Sequence, residues 1–202
     1  MNIRPEERTD FKEVEYLIRE AFWNVYRPGC HEHYIVHNLR FDSSFVRQLD
    51  YVLEVDDKII GHIAYSKNEL IADDDNSIEV VTLGPVAIDP DYQKKGYGSK
   101  IIRYTLDKAK ELGIKYLFVI GDENYYQRFG FEDASKYNIK FNDIEEDTPF
   151  FMINVFDDKS INFENAKYID NPIFKVDEEK LDNFDENFPP KTKEVRDNHL
   201  KI

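Results

Sequence analysis

The spacing of hydrophobic and polar residues predicts two helices near the start of the chain. The apolar residues of the first recur at intervals of three and four: Val14, Leu17, Ile18 and Ala21. This amphipathic pattern predicts a helix over residues 10–22, with Asp10 as its N-terminal cap and a short strand at Ile3 before it. Pro28-Gly29 then breaks the pattern, and a second short helix is predicted over residues 31–39.

Strand-like segments dominate the next part of the chain. Residues 51–55 and 59–65 flank a polar turn and predict a β-hairpin. After a polar loop at residues 73–76, residues 78–88 predict another strand, which Gly84-Pro85 interrupts. Because a proline has no N–H to donate, a strand that contains one must bulge or leave that position unpaired, so we expect this strand to splay.

The second half of the chain predicts helices and strands in mixed order. Residues 99–112 form the strongest predicted helix, and Gly113 ends it as a C-cap glycine. Further elements are predicted at residues 116–120 (strand), 124–129 (short helix) and 150–156 (strand). This order predicts an α+β or α/β sheet protein with helices covering the faces of the sheet.

The polar part of the chain after residue 156 carries five well-separated aromatic residues: Phe163, Tyr168, Phe174, Phe184 and Phe188. This content is too aromatic for a simple disordered tail. We therefore divide the chain into a domain of residues 1–156 and a C-terminal extension of residues 157–202 that packs back on it. Within the extension we expect one strand in residues 161–174 and a helical turn in residues 177–184.

Composition narrows the possible classes of protein. The 202 residues carry a net charge of −14, which argues against nucleic-acid or membrane partners because phosphates would be repelled. A single cysteine, Cys30, excludes an intramolecular disulfide and a multi-cysteine zinc site. No apolar run is long enough for a membrane helix, and the N-terminus lacks the apolar stretch of a signal peptide, so we expect a cytoplasmic protein.

One segment departs from this acidic background. Six basic residues between residues 91 and 110 stand against two acidic ones, which fits either a specific anionic ligand or a solvated helix face. Gly96 and Gly98 lie in this segment, in a loop that leads into the strong helix. Glycines there let successive backbone N–H groups point outward, and the helix N-terminus adds its positive dipole end, which suits a pyrophosphate. Gly-x-Gly alone also fits an ordinary turn, and the loop matches neither the dinucleotide fingerprint nor Walker A.

The longer string around this loop is more specific. Gln-x-x-Gly-x-Gly after Leu-Gly-Pro-Val-Ala-Ile-Asp-Pro resembles motif A of the GNAT superfamily of N-acetyltransferases. The resemblance covers roughly residues 1–155 and implies that the loop binds the pyrophosphate of acetyl-coenzyme A while the splayed strand pairs with the pantetheine arm. The implied cofactor-binding residues are Val86, Ala87, Ile88, Gln93, Lys94, Lys95, Gly96, Tyr97, Gly98 and Ser99. It also implies a three-layer α+β fold, in which a twisted, mostly antiparallel mixed sheet of six to seven strands is splayed at the cofactor site and flanked by helices on both faces. No metal is expected.

A second motif lies at residues 124–131, Asn-Tyr-Tyr-Gln-Arg-Phe-Gly-Phe. It resembles the GNAT marker in which a tyrosine stands four residues before Gly-Phe, a position that Tyr126 occupies. The resemblance implies that Tyr126 protonates, or hydrogen-bonds, the departing thiolate of coenzyme A, which a neutral tyrosine can do at physiological pH. The alternative is an aromatic side chain that only packs, and the neighbouring Tyr125 competes for the same assignment.

The general base that removes a proton from the incoming amine is harder to place. Family members often use a glutamate on the strand before the cofactor loop, which makes Glu79 the candidate and Glu32 a weaker one. The alternative interpretation is that Glu79 is simply a polar residue near the start of a strand. A backbone N–H near Val86 is expected to hold the oxyanion.

Several metal-ligating side chains cluster near the second helix: Cys30, His31, His33 and His37. His33 and His37 share one face of a helix, as metal ligands can, but no carboxylate–histidine pair elsewhere completes a site. We interpret the segment as part of the substrate rim. Direct transfer needs no covalent intermediate, so Cys30 is not expected to act as a nucleophile.

These observations predict an N-acetyltransferase that moves the acetyl group of acetyl-coenzyme A to a primary amine by direct attack. The acceptor is a small-molecule or peptide amine, and the protein is a monomer or a homodimer. The alternatives are a catalytically idle acyl-coenzyme A sensor on the same fold and a general module for phosphate ligands.

Overall fold

The computed structural model describes residues 1–71, 77–144, 146–156 and 165–196. Its helices are α1 (Phe11–Phe22), α2 (Glu32–Leu39), α3 (Tyr97–Glu111), α4 (Glu123–Tyr126) and α5 (Glu178–Asp185). Its strands are β1 (Asn2–Pro5), β2 (Tyr51–Val55), β3 (Lys58–Ile71), β4 (Ser77–Ile88), β5 (Tyr116–Ile120), β6 (Glu132–Asp133), β7 (Ile139–Phe141), β8 (Phe151–Val155) and β9 (Ala166–Ile169). The polar loop predicted at residues 73–76 lies outside the described residues. None of the helices in the described ranges is long and apolar enough to cross a lipid bilayer.

The described strands form one sheet in the order β1-β2-β3-β4-β5-β8-β6, and β9 adds to it by pairing with β3 and with β7. All pairs are antiparallel except β4 with β5 and β7 with β9. This confirms the predicted mixed, mostly antiparallel sheet. It has nine strands rather than six or seven, because the short strands β6 and β7 and the later strand β9 join its edges.

Local chemistry fixes the boundaries of several elements. The hairpin between β2 and β3 turns at Asp56 and Asp57, which both have positive φ angles, 51° and 60°. Gly113, with φ 74°, ends α3 as predicted. The predicted short helix at residues 124–129 is α4 followed by a 3-10 turn over Gln127–Phe129. The strand and the helical turn predicted after residue 156 are β9 and α5.

Helices cover both faces of the sheet. Val52 and Ile59 pack with the apolar face of α1. Their neighbours Leu53 and Ile60 belong to the core under α3. Because successive residues of a strand point to opposite faces, α1 and α3 lie on opposite sides of the sheet.

A buried polar network ties α1 and α2 to the edge of the sheet at β1–β3. The Arg40 side chain, 1% exposed, contacts Glu6 Oε1 at 2.5 Å and Glu15 Oε1 at 2.6 Å. His62 Nε2 lies 3.0 Å from Asp50 Oδ1 and 3.8 Å from Glu6 Oε1. Burial raises the pKa of Glu6 to about 7 and that of Asp50 to about 6, and it lowers the pKa of His62 to about 4.

The segment of residues 177–196 contacts α1 and the loop between α1 and α2. Asp185 binds the buried Arg19 guanidinium at 2.9 Å. The indole Nε1 of Trp23 donates to the Thr192 carbonyl at 2.9 Å, and Asn24 Oδ1 accepts from the Glu194 backbone N–H at 3.0 Å. The division of the chain at residue 156 stays a prediction, since residues 157–164 lie outside the described ranges.

Candidate functional site

The sheet opens between β4 and β5. The two strands pair only over residues 81–83 of β4, which face residues 117–119 of β5. The register between β3 and β4 shifts opposite Gly84-Pro85, whose peptide bond is cis. Beyond this point β4 continues to Ile88 beside β3, while its other edge pairs with no strand in the described part of the chain. The predicted splay is therefore present, and it leaves a row of backbone groups of β4 open to a ligand.

The three predicted strand residues meet this opening in different ways. Val86 and Ile88 are half-buried, and the Ile88 side chain packs against Gly61 of β3. Ala87 is 1% exposed and packs with Val14 and its neighbours on the α1 side. Only the backbone of Ala87 is thus available to a ligand in the cleft.

The loop after β4 forms an N–H-lined cradle at the start of α3. Gly96 has φ 85° and Lys94 has φ 59°, so the chain makes two left-handed steps before the helix. The first bond of α3 is donated by the Lys100 N–H to the Gly96 carbonyl at 3.2 Å. Within the described residues, the backbone N–H groups of residues 94–99 donate to no acceptor. Unpaired N–H groups at a helix N-terminus are the usual ligands of a phosphate group.

Side chains around this loop add positive charge. Gln93 Nε2 donates to the Ile88 carbonyl at 3.0 Å, which holds the loop against the end of β4. Lys95 Nζ donates to the Asp91 carbonyl at 2.7 Å. Lys94, Lys95 and Lys100 have no carboxylate partner among the described residues. By contrast, Lys108 at the far end of α3 pairs with Glu111 at 2.7 Å. Lys94, Lys95 and Lys100 therefore place positive charge without a carboxylate partner at and next to the loop.

The predicted catalytic tyrosine, Tyr126, ends α4 beside the opening of the sheet. Its ring lies directly over Gly121, where an added Cβ would stand 2.5 Å from the ring, and it packs at 5.8 Å from the Phe131 ring. Its hydroxyl makes no hydrogen bond to the described residues. Burial, followed by the charges of Tyr125 and Tyr26, raises the pKa of Tyr126 well above its ordinary value. The hydroxyl therefore stays protonated and free to donate.

Tyr125 and Tyr126 reach different parts of the site. Their rings are 5.1 Å apart and nearly perpendicular. The Tyr125 hydroxyl lies against Gly98, where an added Cβ would stand 2.9 Å from it. Tyr125 thus contacts the loop that begins α3, whereas Tyr126 lies over Gly121. The helix α4 connects the two parts of the cleft.

The structure does not bring Glu79 to this cleft. Its side chain is 63% exposed and pairs with Lys67 Nζ at 3.0 Å. It lies five residues before Gly84, where the sheet opens. Five residues of an extended strand span about 17 Å, so Glu79 is far from the opening.

The weaker candidate for the general base, Glu32, is not on the sheet but on α2. Glu32, half-buried, begins α2, and Tyr26 lies in the loop before it. The charges of Glu32 and Asp122 both raise the pKa of Tyr26, after burial, and the charge of Tyr26 raises that of Tyr126. Tyr26 is therefore within range of the charges of Glu32, Asp122 and Tyr126. No sequence motif marks Tyr26, because its position depends on the folding of the loop between α1 and α2.

The cysteine–histidine cluster is used for structure rather than for a common site. Cys30 Sγ lies 3.3 Å from His33 Nδ1, and His33 Nε2 lies 2.8 Å from Asp185 Oδ1. His31 contacts Glu178, and His37 contacts Glu15 on α1. Burial raises the pKa of the Cys30 thiol far above its ordinary range, so it does not supply a thiolate.

Known proteins share this arrangement of sheet, loop and helices. The sequence model described as the acetyltransferase (GNAT) family matches residues 13–131. The Escherichia coli protein named "uncharacterized N-acetyltransferase YhbS" is 29% identical over 142 residues, which are 69% of this chain and 78% of that protein. A second Escherichia coli protein, "uncharacterized N-acetyltransferase YjhQ", is 31% identical over 101 residues, 50% of this chain and 55% of that protein.

Two solved structures resemble the fold closely. A GNAT family acetyltransferase from Brucella melitensis in complex with acetyl-CoA has a TM-score of 0.67 and 26% identity, and the match covers 86% of this chain and 97% of that one. Escherichia coli YhbS in complex with CoA has a TM-score of 0.71 and 24% identity, with 87% and 92% of the two chains covered. The family match spans the splayed strand, the cradle and Tyr126, so the chain belongs to the GNAT acetyltransferase family and is an acyltransferase.

Proposed function

We propose that this acyltransferase moves the acetyl group of acetyl-coenzyme A directly to a primary amine. The observation that carries the proposal is the row of unpaired backbone N–H groups at residues 94–99, beside the unpaired edge of β4. Such a row suits a diphosphate, and a strand edge suits an extended chain that contains amides. Coenzyme A carries both a diphosphate and an extended chain with amides. The similar Brucella protein is in complex with acetyl-CoA.

The cofactor is held in the proposal by residues from three elements. The backbone of Val86 and Ile88 pairs with the pantetheine amides, and that of Ala87 completes the strand edge. The N–H groups from Lys94 to Ser99 bind the diphosphate, and Gln93 keeps the loop in place. Lys94 and Lys95 supply positive charge, and hydrogen bonds to charged groups of this kind contribute about 1.5–3 kcal/mol each.

The chemistry of the proposal uses Tyr126. The amine nitrogen attacks the thioester carbonyl, a tetrahedral oxyanion forms, and the carbon–sulfur bond breaks. A backbone N–H near Val86 stabilises the oxyanion. The Tyr126 hydroxyl, which is protonated and has no partner among the described residues, donates to the departing sulfur.

The acceptor is a small-molecule or peptide amine in this proposal. A cytoplasmic location and a monomeric or homodimeric state are retained from the sequence as predictions. The net charge of −14 remains the reason for expecting no nucleic-acid partner.

The test combines binding and turnover. Calorimetry with acetyl-coenzyme A and with ADP measures which ligand the cradle prefers, and a thiol-release assay over a panel of primary amines measures transfer. We expect tight binding of acetyl-coenzyme A and turnover with at least one amine. Binding without any turnover would indicate the acyl-coenzyme A sensor, and equal affinity for ADP would indicate a general phosphate module.

Replacing Gly96 with alanine is expected to weaken acetyl-coenzyme A binding about tenfold. A Cβ disfavours the left-handed conformation at φ 85° by about 1–2 kcal/mol, so the loop relaxes and its N–H groups no longer converge. Calorimetry measures the change. Gly113→Ala is the matched control, because Gly113 has φ 74° and open space at the other end of α3. Both variants should lose similar stability, and a similar loss of affinity in the control would contradict the cradle.

A further inference from the structure

Two arginine guanidinium groups pack on one pair of aromatic rings where α3 meets the 3-10 turn after α4. Arg103 Nη2 donates to the backbone carbonyl of Arg128 at 3.4 Å, and its guanidinium carbon lies 5.1 Å from the centre of the Phe129 ring. The guanidinium carbon of Arg128 lies 4.7 Å from the centre of the Tyr125 ring. The two ring centres are 5.5 Å apart, so both guanidinium groups belong to one small cluster.

This cluster adjoins the cradle at the start of α3. The Tyr125 hydroxyl lies against Gly98, where an added Cβ would stand 2.9 Å from it. Arg103 follows Gly98 by five residues of α3, which is about 7.5 Å along the helix axis. The N–H groups of residues 94–99 are therefore separated from the two arginines by one aromatic side chain on one path and by less than two helical turns on the other.

Neither guanidinium group has an anionic partner in the described part of the chain. The Arg128 side chain makes no hydrogen bond to those residues, and Arg103 makes only the one to a carbonyl. The buried Arg19 and Arg40, by contrast, each bind a carboxylate within 3 Å. Acidic residues outnumber basic ones by 41 to 27 in this chain, so carboxylates are in excess. Two neighbouring like charges repel each other, and an anion that contacts both relieves the repulsion.

Coenzyme A carries an anion that suits this place. Its ribose bears the diphosphate on the 5′ oxygen and a separate phosphate on the 3′ oxygen, so the second phosphate lies within one nucleotide of the first. A phosphate monoester carries about −1.5 to −2 charges at pH 7 and offers three strong acceptor oxygens. The planar fork of a guanidinium group matches such oxygens through paired N–H groups.

We propose that Arg103 and Arg128 bind the 3′-phosphate of coenzyme A and make the protein selective for coenzyme A over its 3′-dephospho form. The inference rests on the proposed function, because it takes the diphosphate to bind the N–H groups of residues 94–99. Arg103 reaches the phosphate from α3, and Arg128 reaches it from the turn after α4. The selectivity acts on binding and leaves the chemistry at Tyr126 unchanged.

A purely structural role for the two arginines makes a different prediction. Exposed guanidinium groups also stabilise a protein by packing on aromatic rings. If packing on Phe129 and Tyr125 were the whole role, replacing the arginines would lower stability slightly and would change the affinity for both forms of the cofactor to the same extent.

A general effect of net charge makes another prediction. Loss of any two cations would then weaken binding of the more highly charged ligand, wherever the cations lie. Arg8 and Lys110 are exposed, before α1 and near the end of α3 that is remote from the cradle. The double variant Arg8→Gln/Lys110→Gln removes the same charge as Arg103→Gln/Arg128→Gln and is the matched control.

The experiment measures by calorimetry the dissociation constants of acetyl-coenzyme A and acetyl-3′-dephospho-coenzyme A. For the wild type we expect acetyl-coenzyme A to bind about 10–30-fold more tightly, and the preference should shrink as the salt concentration rises. In Arg103→Gln/Arg128→Gln the preference should fall below about twofold, because the affinity for acetyl-coenzyme A falls while that for the dephospho form stays nearly unchanged. Arg128→Lys, which keeps the charge without the fork, should retain a reduced preference.

The outcomes separate this inference from the proposed function. A wild type that binds neither ligand contradicts the proposed function and removes the inference with it. Equal binding of the two ligands by the wild type overturns the inference alone. A preference that survives in Arg103→Gln/Arg128→Gln, or that is lost equally in the control, also overturns it, as does an equal weakening of both ligands in the double variant. If the double variant does not fold, the single variants decide in its place, and each should reduce the preference.

Discussion

The Tyr126→Phe variant is expected to lower kcat for acetyl transfer by about 10²–10⁴-fold while leaving acetyl-coenzyme A affinity nearly unchanged. The variant removes one hydroxyl and keeps the ring, which packs over Gly121 and beside Phe131. Burial holds the pKa of this hydroxyl high, so it is a proton donor throughout the physiological range. Without it, sulfur must leave as an unassisted thiolate. Single-turnover kinetics and calorimetry separate the chemical step from binding.

Two other tyrosines serve as comparisons for this result. Tyr16 is 46% exposed on α1, and Tyr16→Phe should behave like the wild type. Tyr125 contacts Gly98, so Tyr125→Phe should affect acetyl-coenzyme A binding more than kcat. A kcat in Tyr126→Phe within threefold of the wild type would remove Tyr126 from the proton transfer. A larger loss of kcat in Tyr125→Phe would transfer the role to its neighbour.

The features of the site that depend on local chemistry were predictable from the sequence. A proline within an apolar strand has no N–H to give, and β4 separates from β5 at Gly84-Pro85. A glycine before a helix permits a left-handed turn, and Gly96 adopts one. In both cases neighbouring residues decide the conformation, so a short window of sequence carries the information.

The features that depend on distant contacts were not predictable in this way. Strand β6 consists of Glu132 and Asp133, too short to show any periodicity, and it forms because β8 offers an edge. Glu79 lies on the predicted strand β4, but its distance from the opening depends on where β4 separates from β5. Tyr26 comes within range of the charge of Tyr126 only because of the way the loop between α1 and α2 folds. No spacing in the sequence encodes that approach.

The segment of residues 177–196 shows both kinds of information. Its aromatic content predicts packing, and Phe184 does pack against His37, with ring centroids 4.5 Å apart. Its partners could not be read from the chain, because Asp185 meets Arg19 across 166 positions of sequence. The contacts fall on α1, α2 and the loop that carries Tyr26. The C-terminal segment thus supports α1, α2 and the loop between them.

Arg40→Met is expected to lower the free energy of unfolding by about 3–5 kcal/mol at pH 8. Methionine fills a similar volume but leaves the carboxylates of Glu6 and Glu15 buried without their cation. At pH 5 the loss should be smaller. Burial raises the pKa of Glu6 to about 7 and that of Asp50 to about 6, both above their ordinary values, so the folded protein holds these two carboxyls neutral below pH 6. The cost of losing the guanidinium therefore grows as the pH rises through 6 and 7.

His62 does not reverse this trend between pH 5 and pH 8, since burial lowers its pKa to about 4 and it stays neutral in the folded protein. Urea unfolding at the two pH values measures the effect. Arg8, exposed before α1, gives the control Arg8→Met, which should change stability by less than about 0.5 kcal/mol at either pH.

Adding Glu6→Gln to Arg40→Met should recover part of the loss at pH 8, because it removes one of the carboxylates left without a cation. The guanidinium carbon of Arg40 also lies 4.1 Å from the centre of the Phe11 ring. An equal loss at both pH values, or no recovery in the double variant, would show that Arg40 stabilises the protein through this packing and not through its charge.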